Sequence, residues 1–304
     1  MTLAPTDNVT LSRHTLLAAC EELGLDTTGA EPIRMAENAI WRLPGQFVAR
    51  ISRPGHTHVA QREIAVANWL TDHGIPAVRP ALGLVQPVVV DGRAVTIWEE
   101  LPPHRDGTVG EMAQLLKALH ALPEPDFELE SLEPFGKIRA RLNQSTVLGE
   151  PAMQWLQDYT DGLEEAWTHL LVEPDLSSCV LHGDAWAGNV ASAENGTAYL
   201  LDLDSFTIGP REWDLTSTAV KLTSTGSITR REYEEFCSVY GTDVTAWHGY
   251  PILRDIRELR MTAYSARIAT EHPNHPLALQ EVKYRVGCLM GRQGQRPWQW
   301  TAVP

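Results

Sequence analysis

The residues with the most chemical content lie between positions 182 and 204. His182-Gly183-Asp184 is followed five positions later by Asn189, and Leu201-Asp202-Leu203-Asp204 comes eighteen residues after Asp184. Carboxylates and carboxamides are hard oxygen donors, the ligands that magnesium takes in octahedral geometry. A further carboxylate beside such an ion can accept or orient the proton of a hydroxyl. Phosphoryl transfer asks little more of a protein than this positioning and charge neutralisation. In that chemistry Asp184 is the base or orienter of an acceptor hydroxyl, and Asn189 and Asp202 are the metal ligands. Asp204 could assist the metal, but reads first as a solvated or hydrogen-bonded carboxylate. A competing zinc reading takes Cys179, His182 and Asp184 as donors, but no fourth Cys or His follows at zinc spacing.

Short strands must hold this loop. Cys179–Leu181, Asn189–Ala191 and Ala198–Leu201 have the composition for it, and Asn195-Gly196 suits a tight hairpin turn between the last two. Around them the pattern is helical. Thr108 and Glu111 have capping-box spacing ahead of Val109, Met112, Leu116 and Leu119. The same periodicity returns at 156–170, after Trp213, at 252–263 and at 279–289. The first third differs. A short helix over 11–25 precedes a hairpin, Ala39–Leu43 and Phe47–Ile51 about Pro44-Gly45. A helix over 57–73 follows, then strands Leu82–Val90 and Arg93–Trp98 about Asp91-Gly92. The expected class is α+β with two lobes: a strand-rich lobe over 1–102 and a mainly helical one over 103–304. A hinge near 99–103 and a ligand cleft between the lobes complete this expectation.

His182-x-Asp184-x4-Asn189 resembles the aminoglycoside phosphotransferase and choline kinase group, the small-molecule relatives of the protein kinases. Gly183 stands where protein kinases have Arg. Ile208-Gly209-Pro210-Arg211-Glu212-Trp213-Asp214-Leu215 is similar to a second stretch of the same group. The resemblance implies a protein-kinase-like fold, with a small antiparallel sheet in the N-terminal lobe and a larger helical C-terminal lobe. It also implies a magnesium-dependent kinase that moves the γ-phosphoryl group of ATP or GTP to a hydroxyl of a small molecule. His182 is then expected to brace the loop, and Asp214 to receive loop backbone donors. Phe47-Val48-Ala49-Arg50 sits where protein kinases carry Val-Ala-Ile-Lys, so Arg50 would meet the nucleotide phosphates with Glu63 as its partner. Arginine for lysine is a departure, because its fork binds phosphate oxygens bidentately. A second departure is that residues 35–47 lack Gly-x-Gly-x-x-Gly. Met35–Ile40 must then cover the phosphates with ordinary backbone, using the Asn38 amide. Glu99 and Leu101 would present their main chain to the purine edge.

Composition narrows the partners. The chain has 304 residues, 25 basic and 39 acidic, for a net charge of -14. Nucleic acid and anionic membranes are poor partners for such a surface, whose plainest effect is solubility. Four widely spaced cysteines, no Cys-x-x-Cys, no apolar leader and no membrane-length apolar run point to a cytoplasmic protein with free thiols. Asp214 follows Asp202 by only twelve positions with no Ala-Pro-Glu between them. That short link favours a small hydroxylated acceptor over a polypeptide. Antibiotics of the aminoglycoside, macrolide or nucleoside type fit, as do sugars, amino alcohols and homoserine-type metabolites. A kinase-like binding protein without turnover and a protein kinase proper are the other readings. Trp186, Trp213, Trp298 and Trp300 either line the acceptor site or pack. Glu212 and the acidic residues of 231–235 either meet a cationic acceptor or form a solvated helix face. A monomer or a homodimer is expected.

Overall fold

The computed structural model describes residues 5–36, 38–173 and 176–302. Its elements, in chain order, begin with α1 (Pro5–Leu23), β1 (Glu31–Met35), β2 (Ala39–Leu43), β3 (Phe47–Ile51), α2 (Thr57–Asp72), β4 (Val88–Val90), β5 (Arg93–Glu99) and β6 (His104–Asp106). Three helices follow: α3 (Val109–Leu119), α4 (Phe135–Asn143) and α5 (Glu150–Leu171). Then come β7 (Ser178–Leu181), β8 (Val190–Ala193), β9 (Ala198–Leu200) and β10 (Thr207–Pro210). The last helices are α6 (Glu212–Thr223), α7 (Arg230–Tyr240), α8 (Tyr250–Glu271) and α9 (Pro276–Leu289). Two compact units result: 1–108 with 125–127 and 187–206, and 109–124 with 128–186 and 207–304.

The first unit is built on an antiparallel sheet in the order β1-β2-β3-β5-β4. Side chains alternate across each strand. Trp41, Leu43, Ala49, Ile51, Val95 and Ile97 share one face and are buried with Leu16, Ala19 and Cys20 of α1. Arg50, between Ala49 and Ile51, must therefore point to the opposite face. The expected strand over Leu82–Val90 begins only at Val88. Pro87 has no N–H for a ladder, and the Gln86 side chain takes the backbone's place: Ile97 N donates to its Oε1 at 2.7 Å and its Nε2 donates to Ile97 O at 3.2 Å. Leu82 and Val85 are exposed as a result.

A second small sheet of this unit has the order β6-β8-β9. Its β8–β9 turn is the expected Asn195-Gly196, with Gly196 at φ +84° and Asn195 Oδ1 accepting from Thr197 N at 3.0 Å. The unit also ties β9 to residues after α2: Leu200 N donates to Pro76 O at 2.9 Å, and Val78 N to Leu200 O at 3.0 Å.

The second unit is helical apart from the antiparallel pair β7–β10. Leu253, Ile256, Leu259, Ala263 and Ala266 of α8 form a buried stripe against Phe135, Ile138, Leu156, Trp167, Trp213 and Val282. Each large apolar side chain buried this way contributes about 1.5–3 kcal/mol. An exposed ion pair gives about 1 kcal/mol or less, so packing rather than charge fixes α8. The α7 helix has a complete capping box, Thr229 with Glu232. Its Tyr233, Phe236 and Tyr240 are buried, while 231, 232, 234 and 235 form a solvated face. The strands around the loop were expected as one island in a helical remainder. Instead β7 pairs with β10 in one unit, and β8 pairs with β6 and β9 in the other. The reason is register: Cys179–Leu181 faces Thr207–Gly209, a run whose Gly and Pro had hidden its strand character. Among the described residues, no helix is long and apolar enough to cross a membrane.

Candidate active site

Within the first unit, β3, α2 and the turn after β9 bring one arginine to three carboxylates. Arg50 Nη1 donates to Glu63 Oε1. Its Nη2 donates to Asp204 Oδ2 at 3.2 Å and stands 3.6 Å from Asp202 Oδ1. With the Asn38 carboxamide oxygen turned toward the guanidinium, it accepts from Nε at 3.1 Å and from Nη2 at 2.7 Å. The expected Arg50–Glu63 pair is present, and Asn38 is part of it. Glu37, within the stretch expected to cover the phosphates, lies outside the described residues.

Glu63, Asp202 and Asp204 each place a carboxylate oxygen within 4.8 Å of the others. Opposite ligands of a magnesium octahedron lie about 4.2 Å apart, twice a bond of about 2.1 Å. The set is close to that spacing, and its three oxygen donors fit a hard divalent cation. Their access differs: the Asp202 side chain is 48% exposed and that of Glu63 4%. Asp202 can therefore reach a ligand, whereas Glu63 mainly anchors Arg50. Burial pushes the Glu63 carboxyl up to about 7; Arg50 pulls it down, while Asp204 and Asp202 add to the rise. One guanidinium does not balance three carboxylates, and a further cation would.

Asp202 has φ +56°. The left-handed region costs a non-glycine residue about 1–2 kcal/mol, with Asp among the types that visit it. Strain of this kind concentrates where a side chain must be aimed. Asn189 is buried, and its carbonyl accepts from Leu201 N at 3.0 Å, which holds the residue before Asp202 beside it. Asp204, expected to be solvated or hydrogen-bonded, accepts from Arg50 and from Ser205 Oγ at 3.0 Å and also belongs to the carboxylate group. At the end of β5, Glu99 N donates to Arg79 O at 2.8 Å and the Glu99 side chain is exposed. Among the described residues, the Leu101 amide donates to no protein group.

Within the second unit, Asp184 sits just beyond β7 on a loop braced from beneath. Asp214, fully buried, accepts from His182 N at 2.7 Å and from Gly183 N at 3.0 Å. His120 Nε2 lies 3.2 Å from the same carboxylate. Burial opposes the Asp214 charge; the hydrogen bond and charge of His120, with His182 and Arg257, outweigh it and hold the carboxyl below its ordinary range. His182 is buried, and Asp184 N donates to its Nδ1 at 3.4 Å. Gly183 has φ +81°, where a side chain would be strained. Its carbonyl accepts from Trp213 Nε1 at 3.1 Å and Arg257 Nη2 at 3.4 Å.

Arg257 is the residue that sequence reasoning missed here. Its Nη1 stands 3.6 Å from Asp184 Oδ1, it lies 4.3 Å over the Trp213 ring, and Nη2 also donates to Ser217 Oγ. Burial and Arg260 push it down to about 10, while Asp184 and Asp214 support its charge. A signal existed: position 257 is four residues after Leu253, on the apolar stripe of α8. Of the tryptophans, Trp213 and Trp298 are buried, Trp298 stacks on Trp300 at 5.5 Å, and Trp186 is 43% exposed.

A family model described as the phosphotransferase enzyme family matches residues 30–253. The chain belongs to that family. It is a small-molecule phosphotransferase, a kinase that uses a hydroxyl as acceptor. No curated protein sequence matches it. Several solved structures share its fold. Choline kinase LicA from Streptococcus pneumoniae is 14% identical with TM-score 0.65, over 90% of this chain and 99% of that one. Spectinomycin phosphotransferase APH(9)-Ia, in complex with ADP and spectinomycin, is 15% identical with TM-score 0.64, over 92% and 98%. Amicoumacin kinase hAmiN, in complex with AMP-PNP, Ca2+ and Ami, is 15% identical with TM-score 0.64, over 89% and 92%. The fold is thus the protein-kinase-like one expected, with its antiparallel N-terminal sheet and mainly helical remainder.

Proposed function

We propose that this kinase transfers the γ-phosphoryl group of ATP or GTP to a hydroxyl of a small molecule in a magnesium-dependent reaction, with Asp184 as the base or orienter. The observation that carries this reading is the trio Glu63, Asp202 and Asp204 gathered around Arg50, a hard-oxygen set with more negative charge than its arginine balances. Asp202 and Asn189 would hold magnesium, with Asp204 beside them. When bound, the ion draws charge off the nucleotide phosphates. Arg50, anchored by Glu63 and Asn38, presents a planar cation to the phosphate oxygens. Leu101 offers its amide to the base edge, next to Glu99. Asp184 takes the proton of the acceptor hydroxyl as its oxygen bonds to the γ-phosphorus. The bond from that phosphorus to the bridging oxygen breaks, and the nucleoside diphosphate leaves.

Two acceptor classes follow from the likenesses. An antibiotic acceptor is supported by the spectinomycin and amicoumacin kinases, which would make this a resistance or self-resistance enzyme. A metabolic alcohol, such as a sugar, amino alcohol or homoserine-type compound, is supported by the choline kinase. A mass-spectrometric screen across both classes, with ATP and GTP in parallel, tests the reading. It should show a gain of about 80 Da, one phosphate, on at least one acceptor, and EDTA should abolish the gain. Transfer that persists in EDTA would overturn the magnesium-dependent account.

A further inference from the structure

In the second unit an ammonium group stands over the Trp186 ring, its charge supported by Asp184. Lys221 of α6 is half-buried, and its Nζ has no hydrogen bond and no ion pair among the described residues. It lies 5.0 Å from the Trp186 ring, two residues along from Asp184. Trp186 is 43% exposed. Arg257 adds a second positive charge, 3.6 Å from the Asp184 carboxylate, and Arg260 lies 5.9 Å from the Trp213 ring. Burial pushes the Lys221 ammonium below its ordinary range, Asp184 pulls it back, and Arg257 and Arg285 add to the fall.

This balance runs against a polycationic acceptor. Asp184 is the carboxylate that Lys221 senses, and Arg257 already faces it. Of the acidic residues expected to meet a cation, Glu212 stands 3.5 Å from Arg211 through Oε1. Those of α7 form its solvated face or its cap. Asp255 and Glu258 of α8 are paired with Arg254 and Arg296.

We propose that the acceptor carries an anionic group near its reactive hydroxyl, a carboxylate or phosphate received by Lys221, with an apolar or planar face laid on Trp186. This rests on the phosphotransferase reading of Asp184 and narrows its substrate class: hydroxy acids and phosphorylated alcohols over aminoglycosides and amino alcohols. Lys221 is then a specificity residue, because a half-buried cation held by no ion pair among the described residues selects for the anion that neutralises it and against a second cation.

Matched probes test this on the full chain: mandelate, its neutral methyl ester, and the amine 2-amino-1-phenylethanol, each titrated by saturation-transfer difference NMR. They share a ring and a hydroxyl and differ in charge. Mandelate should bind roughly tenfold more tightly than the other two, the increment of one charge-assisted hydrogen bond. Lys221→Met should erase the preference, and Lys221→Arg should keep it. Equal or tighter binding of the amine to the wild type overturns the proposal, as does no saturable binding of mandelate or an unchanged preference in Lys221→Met. The Asp184 reading is judged separately by turnover of Asp184→Asn, so either can fail while the other stands.

Discussion

At the scale of single residues, the account divides labour between groups that touch ligands and groups that hold them. Asp202 is half-exposed and Glu63 is not, although both belong to one carboxylate trio. Asp202→Asn should therefore weaken magnesium, seen as at least a tenfold rise in the concentration needed for half-maximal turnover, with little effect on folding. Glu63→Gln removes the anchor of Arg50 and should act instead on the affinity for nucleotide. Arg50→Lys keeps the charge but loses the fork that reaches Glu63, Asn38 and Asp204 together. We expect nucleotide binding in Arg50→Lys to weaken by roughly tenfold, about 1.4 kcal/mol, when measured by calorimetry. Unchanged affinity would remove Arg50 from the phosphate site.

The elements explain why the loop bearing Asp184 stays in place. It is fastened from α6 by Asp214 and from α8 by Arg257, rather than by its own strand alone. Gly183→Ala should cost about 1–2 kcal/mol in urea unfolding, because φ there is left-handed. Asp214→Asn should cost more, about 2–4 kcal/mol, since it weakens two backbone bonds and the contact with His120 in a buried place. The acid limb has a definite sign. The folded carboxyl of Asp214 lies below its ordinary range, so its stabilisation is present above pH ~4 and lost as pH falls through the depressed folded value. Asp214→Asn should flatten that part of the stability profile, as read by chemical unfolding between pH 3 and 6. An unaltered slope would show that another group carries the acid sensitivity.

At the scale of the whole molecule, what was legible in the sequence depended on distance along the chain. Asn189 and Asp202 are legible as neighbours because one hairpin, β8–β9, carries both in the same unit. Arg50 with Glu63 is legible because alternation on β3 and helical period on α2 decide which way each side chain faces. Arg257 and Lys221 come from helices dozens of residues away and His120 from just past α3; the apolar stripe marks Arg257 as inward-facing, but nothing local announces which turn will meet the loop. The segment before β4 failed for a different reason. Its Leu82 and Val85 look like strand residues, but the Gln86 side chain occupies the backbone groups that a strand would have used. The pairing of β7 with β10 was likewise hidden, by Gly209 and Pro210.

The central claim is that Asp184 acts in phosphoryl transfer and not in nucleotide binding. Turnover of the wild type and of Asp184→Asn, each with a responsive acceptor and with nucleotide affinity measured by calorimetry, tests it most directly. A general base contributes roughly 10²–10⁴-fold; kcat should fall by that factor while the nucleotide Kd stays within about twofold. A variant that keeps wild-type kcat, or that loses nucleotide binding as its main defect, would contradict the account.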